Sequence, residues 1–306
     1  MAEHTAQAPA RLGVGVIGAG RVGSVLGAAL AAAGHRVVGV YAVSIASRQR
    51  AQALLPDAPL LTPGEVFDRA DLVVLAVPDD VLPDLVEGLV ATGSVRAGQL
   101  VAHTSGRFGI DVLQPATTAG ALPLALHPAM TFTGSAVDLD RLPSATFGVT
   151  APEPLWQVAE ALVIEMGAEP IRVAEENRIL YHAALAHGAN HLVTLVGEAA
   201  DLLRHAGVPE PERTLGPLLS AALDNALRDG DAALTGPVAR GDAGTVSRHV
   251  AEIERVAPES VAAYVALARR TAARALAAGR LTPSGAEPLL DALAGPAARR
   301  DWNERC

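Results

Sequence analysis

The stretch LGVGVIGAGRVGSVLGAALAAAGHRVVGVYA (12–42) constrains the fold more than any other part of the chain. The apolar run LGVGVI (12–17) leads into the glycine run GAGRVG (18–23). SVLGAALAAAG then reads as a helix ending at Gly34, and HRVVGVYA begins a second apolar run at His35. Strand, turn, helix and strand in this order make a parallel pair joined by a crossover helix. In that context G-x-G-x-x-G is a dinucleotide-binding signal, and each glycine has its own task. Gly18 permits the tight turn, Gly20 lets backbone approach a pyrophosphate, and Gly23 lets the helix pack closely on the strand. Free amides at the helix start, around Arg21 and Val22, favour anionic phosphates.

The end of the second run bears on which nicotinamide fits. An acidic residue about 20 positions beyond the glycines would hold a ribose 2′-hydroxyl. Here the stretch is YAVSIASRQR, with no Asp or Glu between the glycines and Asp57. Ser44, Ser47, Arg48 and Arg50 stand there instead. Hydroxyls and guanidinium groups suit a 2′-phosphate, so NADP (NADPH) is the expected cofactor; the alternative is that these arginines only solvate the next helix.

Further apolar runs continue the alternation. DLVVLAVPDD ends at Val77 and Pro78, GQLVAHTSG at His103, Thr104, Ser105 and Gly106, and ALPLALHPAMTFTG at His127-Pro128. SATFGVTA and EPIRVA flank a helix-like segment and complete the sheet near Ala174. Ligands bind outside the carboxyl ends of strands in such sheets. Val77, Pro78, Thr104, Ser105 and His127 therefore point to one rim, where His127 either contacts substrate or holds its loop. The fold class expected is α/β, a Rossmann doubly wound parallel sheet followed by an all-α C-terminal domain.

Half of the 306 residues are hydrophobic and the net charge is −9, which disfavours nucleic acid and anionic membranes as partners. Cys306 is the single cysteine, so internal disulfides and cysteine metal clusters are excluded. No signal peptide or membrane-length apolar run is evident, and the expectation is a cytoplasmic protein. All 24 Lys-plus-Arg residues are arginine, so no lysine can serve as Schiff base or acid.

From Glu175 strand signals vanish. ENRILYHAALAHGANHLVTLVGEAADLLRHAG reads as one helix, stopped by Gly207 with Pro209 beyond. At about 100° per residue, His187, Asn190, His191, Thr194 and Glu198 share one polar stripe. His187 and His191 stand four residues apart, yet no carboxylate completes a motif and no metal is expected. Farther on, LTGPVARGDAGTV (234–246) interrupts the helices with a polar loop carrying Thr235, Arg240 and Asp242. It either faces substrate across an interdomain cleft or connects and caps helices at a dimer interface. The domains expected are a disordered tail (1–10), the Rossmann domain (11–174), a helical substrate and dimerisation domain (175–295) and a second tail (296–306).

A Rossmann domain followed by helices resembles the superfamily of ketopantoate reductases, pyrroline-5-carboxylate reductases and 3-hydroxyacid dehydrogenases. YHAALAHGANHLVTL is similar to the ketopantoate reductase segment that carries a catalytic lysine and an asparagine eight residues on. His182 stands at the lysine position and Asn190 at the asparagine. LTGPVARGDAGTV resembles the pocket loop of pyrroline-5-carboxylate reductases, whose helical domains build a dimer. The chain as a whole is most similar to a bacterial family joining a Rossmann-like domain to a helical domain of unassigned function, some members of which are linked by context to pantothenate biosynthesis. The resemblance implies an NADPH-dependent, dimeric oxidoreductase acting on a small 2-oxo acid, ketopantoate first. In it His182 gives the proton, Asn190 orients the carbonyl and Arg240 pairs with a carboxylate, while Thr235 and Asp242 fix the loop or bind a hydroxyl. The alternatives are a pyrroline-5-carboxylate-type imine reductase and a non-catalytic NADP-binding sensor. A prephenate-like dehydrogenase is hinted at only by His127-Pro128.

Overall fold

Seven apolar runs become the strands of one sheet in the computed structural model, which describes residues 11–294. They are β1 (Gly13–Ile17), β2 (Arg36–Tyr41), β3 (Leu72–Leu75), β4 (Leu100–His103), β5 (Leu122–Pro128), β6 (Thr146–Thr150) and β7 (Glu169–Arg172). Their order is β2-β1-β3-β4-β5-β6-β7. β1 to β5 run parallel, whereas β6 lies antiparallel to β5 and carries β7 parallel to itself. The last two strands thus reverse the direction of an otherwise parallel sheet.

Alternation along each central strand supplies two cores. Val14, Val16, Leu72, Val74, Leu100 and Ala102 face one side, where Leu26 and Leu162 meet them. Ile17, Val73, Leu75 and Val101 face the other, against Phe67, Leu82 and Leu113. Both faces are covered, so β1, β3 and β4 are buried throughout and read as continuous apolar runs. The covering helices are α1 (Arg21–Ala32), α2 (Ile45–Leu54), α3 (Pro63–Arg69), α4 (Leu82–Ala91), α5 (Gln114–Thr118), α6 (Val137–Arg141) and α7 (Trp156–Glu165).

The segment expected as one helix from Glu176 to Gly207 is divided. A 3-10 turn precedes α8 (Arg178–Leu185), a π-helical turn occupies Ala186–Asn190, and α9 (His191–His205) follows. A π turn is wider than an α turn, so counting 100° per residue does not carry through it. His187 and Asn190 lie in the π turn, and His191, Thr194 and Glu198 lie on α9. The chain divides into compact units at Gly188/Ala189, inside this turn, which leaves α8 with the sheet.

The second unit holds α9, α10 (Pro211–Asp229), α11 (Gly236–Ala239), α12 (Ala243–Val256), α13 (Val261–Ala277) and α14 (Pro283–Leu293). Its core is small-residue packing: Ala268, Ala272 and Ala275 of α13 meet Val246, Ala286, Leu289 and Leu293. α10 buries only Pro211 and Leu215. The tails expected at 1–10 and 296–306 lie outside the described residues.

Candidate active site

The glycine turn sits at the carboxyl end of β1. Gly18 has φ +94°, and the carbonyl of Ala76 occupies the space any side chain there would need. Its N–H donates to the Tyr41 carbonyl at 3.0 Å, which ties the turn to the end of β2. A Cβ on Gly23 would overlap the Gly18 carbonyl oxygen, so only glycine lets α1 approach this closely. Gly20 is different: no atom lies within 4 Å of where its Cβ would stand. The backbone at Gly20 is therefore open to a ligand, and no side chain caps the α1 amino terminus that begins at Arg21 and Val22. Val77 packs beside Gly18, and Pro78 follows it in the loop after β3. A pyrophosphate fits such a turn, which offers free amides, backbone access and the positive end of a helix dipole.

The residues after β2 split in role. Ser44 caps α2, its Oγ accepting from Ser47 N–H at 3.0 Å. Ser47 is buried and donates its hydroxyl to the Ser44 carbonyl at 2.8 Å, so it closes the cap rather than facing a ligand. Serine prefers such local bonds at helix starts, and composition alone did not separate capping from ligand binding. Arg48 anchors its Nε on the Ala42 carbonyl at 3.2 Å. Arg21 and Arg50 both lie against Gly134, whose Cβ would stand 3.0 Å from Arg21 Cγ and 2.9 Å from Arg50 Nε. The Gly134 loop is held by buried Asp138, which accepts from the N–H groups of Thr133 at 2.8 Å and Gly134 at 2.7 Å. Burial raises the Asp138 carboxyl, and these backbone and hydroxyl donors outweigh it, leaving it below its ordinary range.

A histidine and tyrosine cluster forms where β4 and β5 end. His103 is fully buried; its Nδ1 accepts from Ser105 N–H at 3.2 Å and its Nε2–H donates to the Gly109 carbonyl at 2.7 Å. Burial pushes it down to about 4. Ser105 is buried too, and its Oγ accepts from Phe108 N–H at 3.3 Å, so it shapes the loop instead of reaching outward. Thr104, half-buried, hydrogen-bonds through its N–H to the Leu75 carbonyl at 3.2 Å.

That loop presents Gly106 to two imidazoles. A Cβ there would stand 2.9 Å from His127 Nε2 and 2.6 Å from His182 Cδ2. The two rings meet edge to face with centroids 5.9 Å apart. His127 Nδ1 lies 3.0 Å from the Tyr181 hydroxyl. Below them Arg178 is buried, donating Nε to Thr150 Oγ1 at 2.8 Å and Nη2 to the Ala125 carbonyl at 3.0 Å, while its Nη1 has no partner. Burial lowers the Arg178 guanidinium to about 10, so it stays charged at neutral pH. His127 is pushed down to about 4 by burial, then by the charges of Arg178 and His182.

The second unit holds the remaining candidates. Asn190 is exposed at the end of the π turn. Thr235, Pro237 and Val238 line a cavity of about 450 Å³ with Leu195, Glu198 and Tyr264. Arg240 is exposed and does not line it. Asp242 is the N-cap of α12, accepting from Thr245 N–H at 3.0 Å, and these bonds hold its carboxyl below its ordinary range. The polar loop is thus partly the one-turn α11 and the cap of α12. Another concavity, about 850 Å³ around His35–Val38 and Leu54–Pro59, opens at the amino end of β2, on the opposite edge from the glycine turn. Among the described residues no group of His, Cys, Asp or Glu could hold a metal, and no helix is long and apolar enough to cross a membrane.

Arg178, Tyr181, His103 and Gly148 carry much of this geometry and went unassigned from sequence. A signal for one existed: Gly148 interrupts the strand SATFGVTA, and glycine within a strand marks a close approach. A Cβ at Gly148 would stand 2.5 Å from the Tyr181 hydroxyl oxygen.

A Rossmann-like domain opens the chain. Residues 2–128 match the family model of that description, and residues 145–271 match DUF2520, a domain of unknown function. No curated protein matches in sequence. Among solved structures, the chain is similar to a candidate NADP oxidoreductase from Bacteroides fragilis, at 22% identity and TM-score 0.73, over 86% of this chain and 98% of that one. It is also similar to an imine reductase variant from Myxococcus stipitatus in complex with NAD+, at 19% identity and TM-score 0.61, over 94% and 100%. A pyrroline carboxylate reductase from Plasmodium falciparum with NADP bound aligns at 12% identity and TM-score 0.56, over 86% and 98%. At these identities the likeness is one of fold.

Proposed function

We propose that the protein is an NADPH-dependent oxidoreductase of the cytoplasm that reduces the C=O or C=N bond of a small carboxylate. Ketopantoate is the first substrate to try, and a pyrroline-5-carboxylate-type imine is the second, favoured by the fold shared with such enzymes. The observation that carries the reading is the packing of His127 and His182 on Gly106, at the sheet edge that also holds the glycine turn. Cofactor and proton source are both expected at the carboxyl ends of the strands.

Gly18, Gly20 and Gly23 would hold the pyrophosphate against the start of α1. Arg21, Arg48 and Arg50 would take the 2′-phosphate through charge-assisted hydrogen bonds. When bound, NADPH supplies a hydride. The chain's part is to hold the substrate and give a proton to its oxygen or nitrogen as that atom gains the π electron pair. His182 is half-buried beside His127 and is proposed as this acid. Asn190 and Arg240, both exposed in the second unit, are proposed to orient the carbonyl and pair with the carboxylate. A second copy of the chain is the proposed partner of α10, where Leu218, Leu223 and Leu227 are 62%, 50% and 80% exposed.

The test is NADPH oxidation with ketopantoate, pyrroline-5-carboxylate and a panel of 2-oxo acids, beside direct measurement of NADPH and NADH binding. Turnover with NADPH preferred is expected. Tight NADPH binding with background turnover across the panel would replace the enzyme with an NADP-binding sensor.

A further inference from the structure

His127 and Gly148 face each other across the antiparallel pair of β5 and β6. Because Gly148 has no side chain, the Tyr181 phenol lies over the sheet at that point and reaches His127 Nδ1 at 3.0 Å. On the other side, Gly106 leaves room for His127 Nε2. One glycine thus admits the phenol to one ring nitrogen, and another lets the loop after β4 lie close against the other nitrogen.

The direction of the hydrogen bond between the phenol and Nδ1 decides the tautomer. Burial raises the Tyr181 hydroxyl above its ordinary value, against the opposing pull of the Arg178 charge and the Gly148 backbone, so the phenol keeps its proton at neutral pH. With His127 Nδ1 3.0 Å from the Tyr181 oxygen, a phenol that donates this bond makes Nδ1 its acceptor. A neutral imidazole that accepts at Nδ1 must carry its hydrogen on Nε2. We infer, resting on the reductase reading, that His127 presents Nε2–H to the reacting oxygen or nitrogen of the substrate, and that Tyr181 is the positioning residue that fixes this tautomer.

The charged and titratable groups around His127 agree with a neutral ring. From α8, Arg178 brings a buried positive charge, and His182 stands edge-on at 5.9 Å between centroids. From β4, His103 is itself neutral, with both nitrogens occupied by backbone. No carboxylate acts on His127 to favour an imidazolium. A neutral ring donating N–H polarises a carbonyl without having to ionise first. His182 then remains the group that transfers the proton, and His127 is the fixed hydrogen-bond donor beside it.

Nitrogen-15 NMR of histidine-labelled protein reads the tautomer directly, with or without turnover. In the wild type the His127 signals should show Nε2–H at neutral pH. Tyr181→Phe and, independently, Gly148→Ala should each convert that pattern to a tautomer mixture. In the kinetic arm, with whichever of ketopantoate and pyrroline-5-carboxylate is reduced, Tyr181→Phe should lower kcat about tenfold or more and leave the KM for NADPH unchanged. An Nδ1–H tautomer in the wild type, or a Tyr181→Phe protein with wild-type tautomer and kcat, overturns the assignment. Background turnover by the wild type, with the Nε2–H pattern intact, refutes the reductase reading and His127's role in it while upholding Tyr181 as what sets the tautomer.

Discussion

Lowering the pH should destabilise the sheet unit in part through His103. Its imidazole is fully buried, with Nδ1 and Nε2 both engaged by backbone, and it has no acidic partner in hydrogen-bond contact. Protonation would place a second hydrogen at Nδ1, directly opposing the Ser105 N–H. The folded value is pushed down to about 4 from 6.5. Between these values the unfolded chain binds more protons than the folded one, so this stability is complete above about pH 6.5 and is lost as pH falls toward about 4. At about 1.36 kcal/mol per unit the full effect is about 3 kcal/mol, of which about 2 kcal/mol disappears between pH 7 and pH 5.

The assay is urea unfolding at those two pH values, followed by tryptophan fluorescence in a Trp302→Phe background so that Trp156 on α7 reports the sheet unit. His103→Gln is the control, because glutamine offers an N–H and a carbonyl but does not titrate. His127 titrates in both proteins and cancels in the comparison. The wild type should lose about 2 kcal/mol more than His103→Gln on acidification. Parallel losses in the two proteins would refute the reasoning, for they would mean that His103 takes up its proton at the same pH folded and unfolded.

Other perturbations test other parts of the molecule. Thr150→Val keeps the side-chain shape but removes the acceptor for buried Arg178 Nε, and should cost about 2 kcal/mol in urea unfolding. Arg48→Ala and Arg50→Ala should each weaken NADPH about tenfold, with NADH binding little changed, as measured by titration calorimetry. Equal losses for both cofactors would remove the 2′-phosphate assignment. Asp242→Ala should lower stability through loss of the α12 cap while leaving kcat within about twofold; a collapse of kcat in a folded protein would restore Asp242 to the chemistry. If the proposed dimer forms through α10, Leu223→Asp with Leu227→Asp should turn it into a monomer in sedimentation, since both side chains are exposed four residues apart on that helix.

The fold was legible wherever a single local rule decided the conformation. The apolar runs located the strands whose alternate residues fill both cores, and the spacing of Gly18, Gly20 and Gly23 corresponds to three separate geometric demands: positive φ, open space and close packing. The π turn was not legible, because AHGAN satisfies helical composition and differs only in which carbonyl each N–H meets. The site was legible to the extent that its residues end strands: His127 and Thr104 could be placed on the rim by topology alone. Ser47 and Ser105 could be placed near the rim too, but not their direction, and both hydroxyls turn to backbone groups a few residues away. A short hydroxyl side chain finds such local partners at little entropic cost, so proximity to the rim says little about whether it serves a ligand. Tyr181 and Arg178 failed for the opposite reason. Their roles depend on Gly148, Thr150 and Ala125, far away in sequence, and on the absence of a side chain at one of them. A strand glycine opposite a histidine is thus the mark that long-range geometry leaves in sequence, and reading it requires the strand register first.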